Sequence, residues 1–166
     1  FNIHPMIYIL DFDGVLFDDQ RFKSDFGHVF SRHGVSHGAY EQTYRQAKEA
    51  GKGIYELEMH LALLDRIDPH PDIERIRGDL FVLASRSKKY IFADAKKFLR
   101  ATKERGDELF LLSTGDKIFQ EVKIQASGIT DFFKQVIIIT SSHKAPSLAG
   151  IKKQAGRGNV IFIDDK

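Results

Sequence analysis

Asp11, Asp13, Asp18 and Asp19 fall within one short stretch, "ILDFDGVLFDD" (Ile9–Asp19), behind an apolar run and around a single glycine, Gly14. Carboxylates so close repel one another, and either open water or a bound cation has to offset the repulsion. A second acidic pair, Asp164 and Asp165, closes the apolar run "VIFI" near the other end of the chain. Oxygen-only ligands suit a hard cation. Asp11, Asp13 and Asp165 together read as a hard-cation site; magnesium, for one, commonly takes one or two carboxylates together with water and phosphate.

Such a site requires elements that carry distant residues to one place. The run "IYIL" (Ile7–Leu10) is short, apolar and rich in β-branched and aromatic residues, as a buried strand is. From Tyr90 onward strands and helices alternate. Ile91, Phe92, Ala95, Phe98 and Leu99 form an amphipathic helix ending near Gly106, and "ELFLLSTGD" is a strand ending at Ser113. Ile118–Ser127 is a helix closed by Gly128, "QVIIIT" a strand ending at Thr140, Pro146–Ala155 a helix and "NVIFIDD" a strand ending in Asp164 and Asp165. This alternation predicts right-handed βαβ units and a parallel sheet, a Rossmann-like α/β core in three layers. All carboxyl ends of a parallel sheet lie on one edge, where ligands bind, so Asp11, Ser113, Thr140 and Asp164 are expected to meet there.

Residues 16–89 read differently. Phe22, Phe26, Val29 and Phe30 recur at helical spacing before "HGVSHG" breaks the period. Tyr40–Ala50 and Ile54–Ile67 are helical, with Leu57, Leu61 and Leu64 on one face of the second. "DPHP" (Asp68–Pro71) is a break, after which Ile73, Ile76, Leu80 and Leu83 resume the helical period. The expected organisation is a core of residues 1–15 and 90–166 with an all-helical cap, 16–89, inserted between the first strand and the first crossover helix.

Composition narrows the function classes. Twenty-five basic against 23 acidic residues give a net charge of +2, with neither a basic stripe for nucleic acid nor an acidic tail. No apolar run approaches the ~20 residues of a membrane span. The chain holds no cysteine, which rules out disulfides and thiolate metal sites and fits a cytoplasmic location. His33 and His37 are four apart, but Gly34 and Gly38 spoil a helical ligand pair.

The motifs as a set resemble the haloacid dehalogenase-like superfamily. "DFDGVLFD" is similar to its first motif, DxDGxxxD, and "LFLLSTG" to its second, a strand ending in Ser or Thr. Lys144 in "SSHKAPS" is similar to the third, a lysine before a helix, and "VIFIDD" to the fourth, a strand ending in acids. The stretch "GKGIYELEMHLALL" resembles the cap helix-loop of sugar-phosphate phosphatases and mutases in the branch whose cap follows the first motif. The chain departs from that branch in Ala145, which separates Lys144 from Pro146, and in Thr114, where many relatives carry Asn.

The resemblance implies a role for each matching position. Asp11 is the nucleophile that attacks phosphorus and becomes an aspartyl phosphate. Asp13 protonates the leaving oxygen and then activates water. Dehalogenases of the family lack an acid there, so Asp13 implies phosphate chemistry. Ser113, with the backbone N–H groups of Thr114 and Gly115, binds the phosphoryl oxygens, and Lys144 neutralises charge. Asp11, Asp165 and the backbone carbonyl of Asp13 hold magnesium, with Asp164 as a further ligand or its partner. Lys52, between Gly51 and Gly53, reads as a substrate contact from the cap. The expected activity is hydrolysis of a small phosphorylated metabolite. The alternatives are a phosphomutase or phosphotransferase of the same fold, and a non-enzymatic protein that binds a partner through its cap.

Overall fold

The computed structural model describes residues 5–67, 71–156 and 158–165. Four strands form one parallel sheet in the order β3-β2-β1-β4: β1 Ile7–Leu10, β2 Glu108–Thr114, β3 Gln135–Ile139 and β4 Val160–Ile163. The chain winds outward from β1 to β3 and returns to the far side of β1 for β4. That reversal opens a crevice at the carboxyl ends of the strands next to β1.

The period-two pattern of β2 sets the layers. Leu109 and Leu111 face one apolar cluster with Leu99 of α5 (Ala93–Glu104) and Ile124 of α6 (Lys117–Ala126). Phe110 and Leu112 face the other with Ile7, Ile9 and Ile151 of α7 (Ala145–Ala155). The expected three-layer α/β core is present.

Between β1 and α5 the described residues form four α-helices: α1 Asp19–Arg32, α2 His37–Ala50, α3 Leu57–Ile67 and α4 Ile73–Ala84. Of the expected break over Asp68–Pro71, only Pro71 is among the described residues. Two helix starts differ from the periodicity. α2 begins three residues before Tyr40 because the Ser36 hydroxyl accepts from the Ala39 N–H, a cap that hydrophobic spacing does not register. α3 begins at Leu57 rather than Ile54. The Leu57 N–H is satisfied by the Asp116 carboxylate at 3.0 Å, from a residue 59 positions away. Asp116 also caps α6 through the Phe119 N–H, so one side chain fixes the start of a helix in the core and of one in the insertion.

Core and insertion share their apolar interior. One cluster runs from Leu10, Leu109 and Ile124 to Phe26, Leu61, Ile76 and Leu80. Phe119 of α6 meets Phe22, Phe26 and Phe81 with ring centroids 5.5–6.2 Å apart. His33, half of the histidine pair noted above, joins α1 to α4 through Asp79 at 2.8 Å. No helix among the described residues is long and apolar enough to cross a membrane.

The insertion has its own polar hub. His60 is fully buried; its Nδ1 lies 2.8 Å from the Tyr55 hydroxyl and its Nε2 2.9 Å from the Thr43 hydroxyl. Thr43 already donates to the Ala39 carbonyl at 2.7 Å, so Nε2 carries the proton and donates to Thr43 while Nδ1 accepts from Tyr55. Burial pushes the imidazole down from 6.5 to about 4. The unfolded chain therefore binds the extra proton first. The stability that neutral His60 provides is intact above pH 6.5 and drains as pH falls towards 4, by on the order of 3 kcal/mol. His60→Leu is expected to be less stable than the wild type at pH 7, yet to lose less stability between pH 7 and pH 5. Urea unfolding at the two pH values measures the difference.

Candidate active site

The site forms at the carboxyl ends of β1, β2 and β4. Asp11 follows β1 and is buried, as expected for a side chain carried out of a central strand. Its Oδ1 accepts from the Phe12 N–H at 2.8 Å, and its Oδ2 accepts from Lys144 Nζ at 2.6 Å. Lys144, at the start of α7, also donates to Asp164 Oδ2 at 2.9 Å. The intervening Ala145 thus does not displace the lysine from the acids.

Burial pushes the Asp11 carboxyl up to about 6. The hydrogen bond and charge of Lys144 and the Phe12 N–H oppose this without cancelling it, and the charge of Asp164 adds to it. Burial also opposes ionisation of Asp164, but Lys144 holds that carboxyl below the usual range. Burial works against the Lys144 ammonium too, and its bonds to Asp11 and Asp164 keep it above the ordinary lysine value. One lysine thus serves two acids whose proton affinities are driven apart, a pattern common at catalytic sites.

Asp11, Asp164 and Asp165 present carboxylate oxygens within 4.8 Å of one another. Asp164 Oδ1 is buried with no hydrogen-bond partner. An orphaned buried carboxylate oxygen beside two further carboxylates fits a hard, oxygen-seeking cation. Gly14 makes room for the third acid: its φ is +78°, and a Cβ there would stand 2.5 Å from Asp165 Oδ2. The remaining acids of the opening stretch have other duties. Asp18 caps α1 through the Arg21 N–H, and Asp19 in its first turn pairs with Lys23 at 2.5 Å.

Asp13 points into the cleft but stands outside the acidic trio. Its Oδ1 accepts from Lys123 Nζ at 2.7 Å and its Oδ2 from Gln120 Nε2 at 2.7 Å. Gln120 Nε2 donates to Ser113 Oγ as well, at 2.8 Å. Both α6 residues escape a reading by periodicity, which treats α6 only as a crossover helix. The available signal is a polar pair at i, i+3 between Phe119 and Ile124, on the face that the sheet buries.

The cleft has a volume of about 260 Å³ and is lined by Asp11, Asp13 and Asp165 and by Phe22, Tyr44, Lys48, Gly53 and Tyr55 of the segment between β1 and α5. Thr114 and Gly115 line it too, and Thr114 Oγ1 is a buried hydroxyl without a partner. Three expectations need correction. Ser113 is fully buried beneath this lining, its hydroxyl engaged by Gln120, because strand alternation turns it the other way from Thr114. The Gly115 N–H donates to the Ile139 carbonyl at 3.1 Å, extending the β2–β3 ladder rather than facing an anion. Lys52 adopts φ +52° in the turn that ends α2 and stands exposed outside the cleft; the lysines of the insertion that do line it are Lys23 and Lys48.

A haloacid dehalogenase-like hydrolase family model matches residues 5–166. The chain belongs to this family. Among solved structures, a haloacid dehalogenase-like hydrolase of Burkholderia xenovorans LB400 is similar over 98% of this chain and 73% of its own, at 21% identity and a TM-score of 0.78. The HAD-hydrolase YfnB of Bacillus subtilis, solved bound to magnesium, is similar over 98% and 79% at 14% identity and a TM-score of 0.66. A Thermotoga maritima protein assigned as a β-phosphoglucomutase is similar over 97% and 76% at 16% identity and a TM-score of 0.65. At these identities the likeness establishes the fold. No curated protein matches the chain. Haloacid dehalogenase-like hydrolases include dehalogenases as well as enzymes of phosphate chemistry, and dehalogenases are among the structural neighbours of this one.

Proposed function

We propose that the chain is a magnesium-dependent phosphohydrolase that cleaves a small phosphorylated metabolite through an aspartyl phosphate. The observation that carries this reading is the second carboxylate, Asp13, lining the same cleft as Asp11 and clear of the acidic trio. A halide leaves without a proton, whereas an alkoxide needs one, and a second carboxylate in the cleft supports a proton donor for a leaving oxygen.

Asp11 attacks phosphorus, the bond from phosphorus to the ester oxygen breaks, and Asp13 passes its proton to that oxygen. Asp13 then takes a proton from the water that attacks the aspartyl phosphate, and inorganic phosphate leaves as Asp11 is regenerated. Lys144 neutralises charge on Asp11 and on the phosphoryl oxygens throughout. Asp11, Asp164 and Asp165 would hold magnesium, which when bound supplies charge neutralisation at the transferring group. The helical insertion acts as a cap, with Lys48, Tyr44 and Tyr55 contacting the alcohol portion and excluding water. A cytoplasmic location accords with the cysteine-free chain.

The expected result is turnover of 4-nitrophenyl phosphate with magnesium and none after chelation. Failure to hydrolyse any member of a panel of sugar, nucleotide and small-acid phosphates in millimolar magnesium overturns the proposal.

A further inference from the structure

Lys123 is a lysine in an unusual position. Its side chain is 6% exposed, and its ammonium lies 4.6, 4.8 and 5.6 Å from the ring centroids of Phe17, Phe22 and Phe12. Burying an ammonium is costly, and three aromatic faces repay only part of the cost. Its hydrogen bonds go to two acceptors, Asp13 Oδ1 at 2.7 Å and Gln120 Oε1 at 3.1 Å. Gln120 in turn directs both amide hydrogens, one to Asp13 Oδ2 and one to Ser113 Oγ. The carboxylate is thus gripped on both oxygens by two residues of one helix, each itself locked by packing.

We propose that Lys123 and Gln120 are positioning residues that hold the Asp13 carboxylate in a single orientation towards the leaving-group oxygen. The inference rests on the phosphohydrolase reading above. A carboxylate on its own has two free torsions; two donors at fixed places on α6 remove that freedom. Removing one partner of a buried ion pair is costly where the other charge is left without water. Asp13 is 28% exposed, so it finds water when Lys123 is gone, while Gln120 Oε1 loses its donor. Methionine has lysine's unbranched reach, and its sulfur is welcome among aromatic rings. Lys123→Met therefore separates a positioning role from a structural one.

Lys123→Met is expected to stay folded at the assay temperature, with at most a modest fall in melting temperature. Its kcat/KM on an alkyl phosphate, which reports transfer to Asp11 and not the later attack of water, should fall about 10- to 100-fold, part of the 10²–10⁴ that a positioned acid supplies. On 4-nitrophenyl phosphate, whose phenolate leaves without help, the loss of kcat/KM should be at least about tenfold smaller. Gln120→Met should show the same leaving-group pattern. A variant that melts well below wild type while keeping the same relative activity on both esters makes Lys123 a structural staple and overturns the inference. So does a stable variant with equal losses of kcat/KM on both substrates. A wild type that turns over no phosphate monoester overturns the phosphohydrolase reading and this inference with it; a wild type that does, beside an unimpaired Lys123→Met, overturns this inference alone.

Discussion

Asp11→Asn is expected to abolish phosphatase turnover, by more than about a thousandfold in kcat, while the protein stays folded. Asparagine keeps the shape of the side chain and one acceptor oxygen for the Phe12 N–H, but it cannot form an acyl phosphate. The fold should tolerate the change for a reason visible in the site. Burial already raises the Asp11 carboxyl to about 6, so its ionised form is the costly one at neutral pH. Lys144 keeps Asp164 as a partner at 2.9 Å when Asp11 loses its charge. The variant should therefore melt no lower than wild type at pH 7 in the absence of metal. The check is steady-state hydrolysis of 4-nitrophenyl phosphate beside a melting curve. Residual activity within tenfold of wild type would mean that the nucleophile is another residue.

Magnesium should raise the melting temperature strongly at pH 7.5 and weakly at pH 5. Asp11, Asp164 and Asp165 place their oxygens within 4.8 Å of one another, and a cation that binds only the folded form stabilises it by mass action. At a hundredfold excess over the dissociation constant the gain is ~2.7 kcal/mol, or about 5–10 °C for a chain of this size. The sign with pH follows from Asp11. Its folded value lies above its unfolded one, so metal-free stability is greatest when Asp11 is protonated and falls as pH rises through about 6. Magnesium relieves the charge that appears in that window and must displace a proton below it. Asp165→Ala should remove most of the shift. A melting temperature that stays constant across millimolar magnesium at pH 7.5 would show that the three carboxylates do not bind the ion. Calcium should also stabilise the protein, but its looser coordination should not support turnover.

The sheet and the edge at which chemistry gathers are legible in the residues alone. Apolar runs of strand length, each ending in a polar residue and separated by amphipathic helices, leave a parallel α/β sheet as the economical way to bury the runs. Such a sheet carries the residues after its strands to one crevice. Asp11, Asp164 and Asp165 were legible for this reason: their position relative to a strand end is a local property of the chain, whereas Lys144 was legible only through the resemblance of "SSHKAPS" to a family motif.

The rest of the site depends on contacts between distant segments. Strand alternation put Thr114 rather than Ser113 in the lining, and the β2–β3 ladder claimed the Gly115 N–H. The turn after α2 sent Lys52 into solvent and left Lys48 at the cleft. Asp13 lies 110 residues from Lys123 and 107 from Gln120, and only the packing of α6 over Phe12 and Phe17 brings them together. Hydrophobic periodicity says which face of a helix is buried. It does not say which polar group waits on the other side, because that depends on how two elements cross, and no stretch of either encodes the crossing alone.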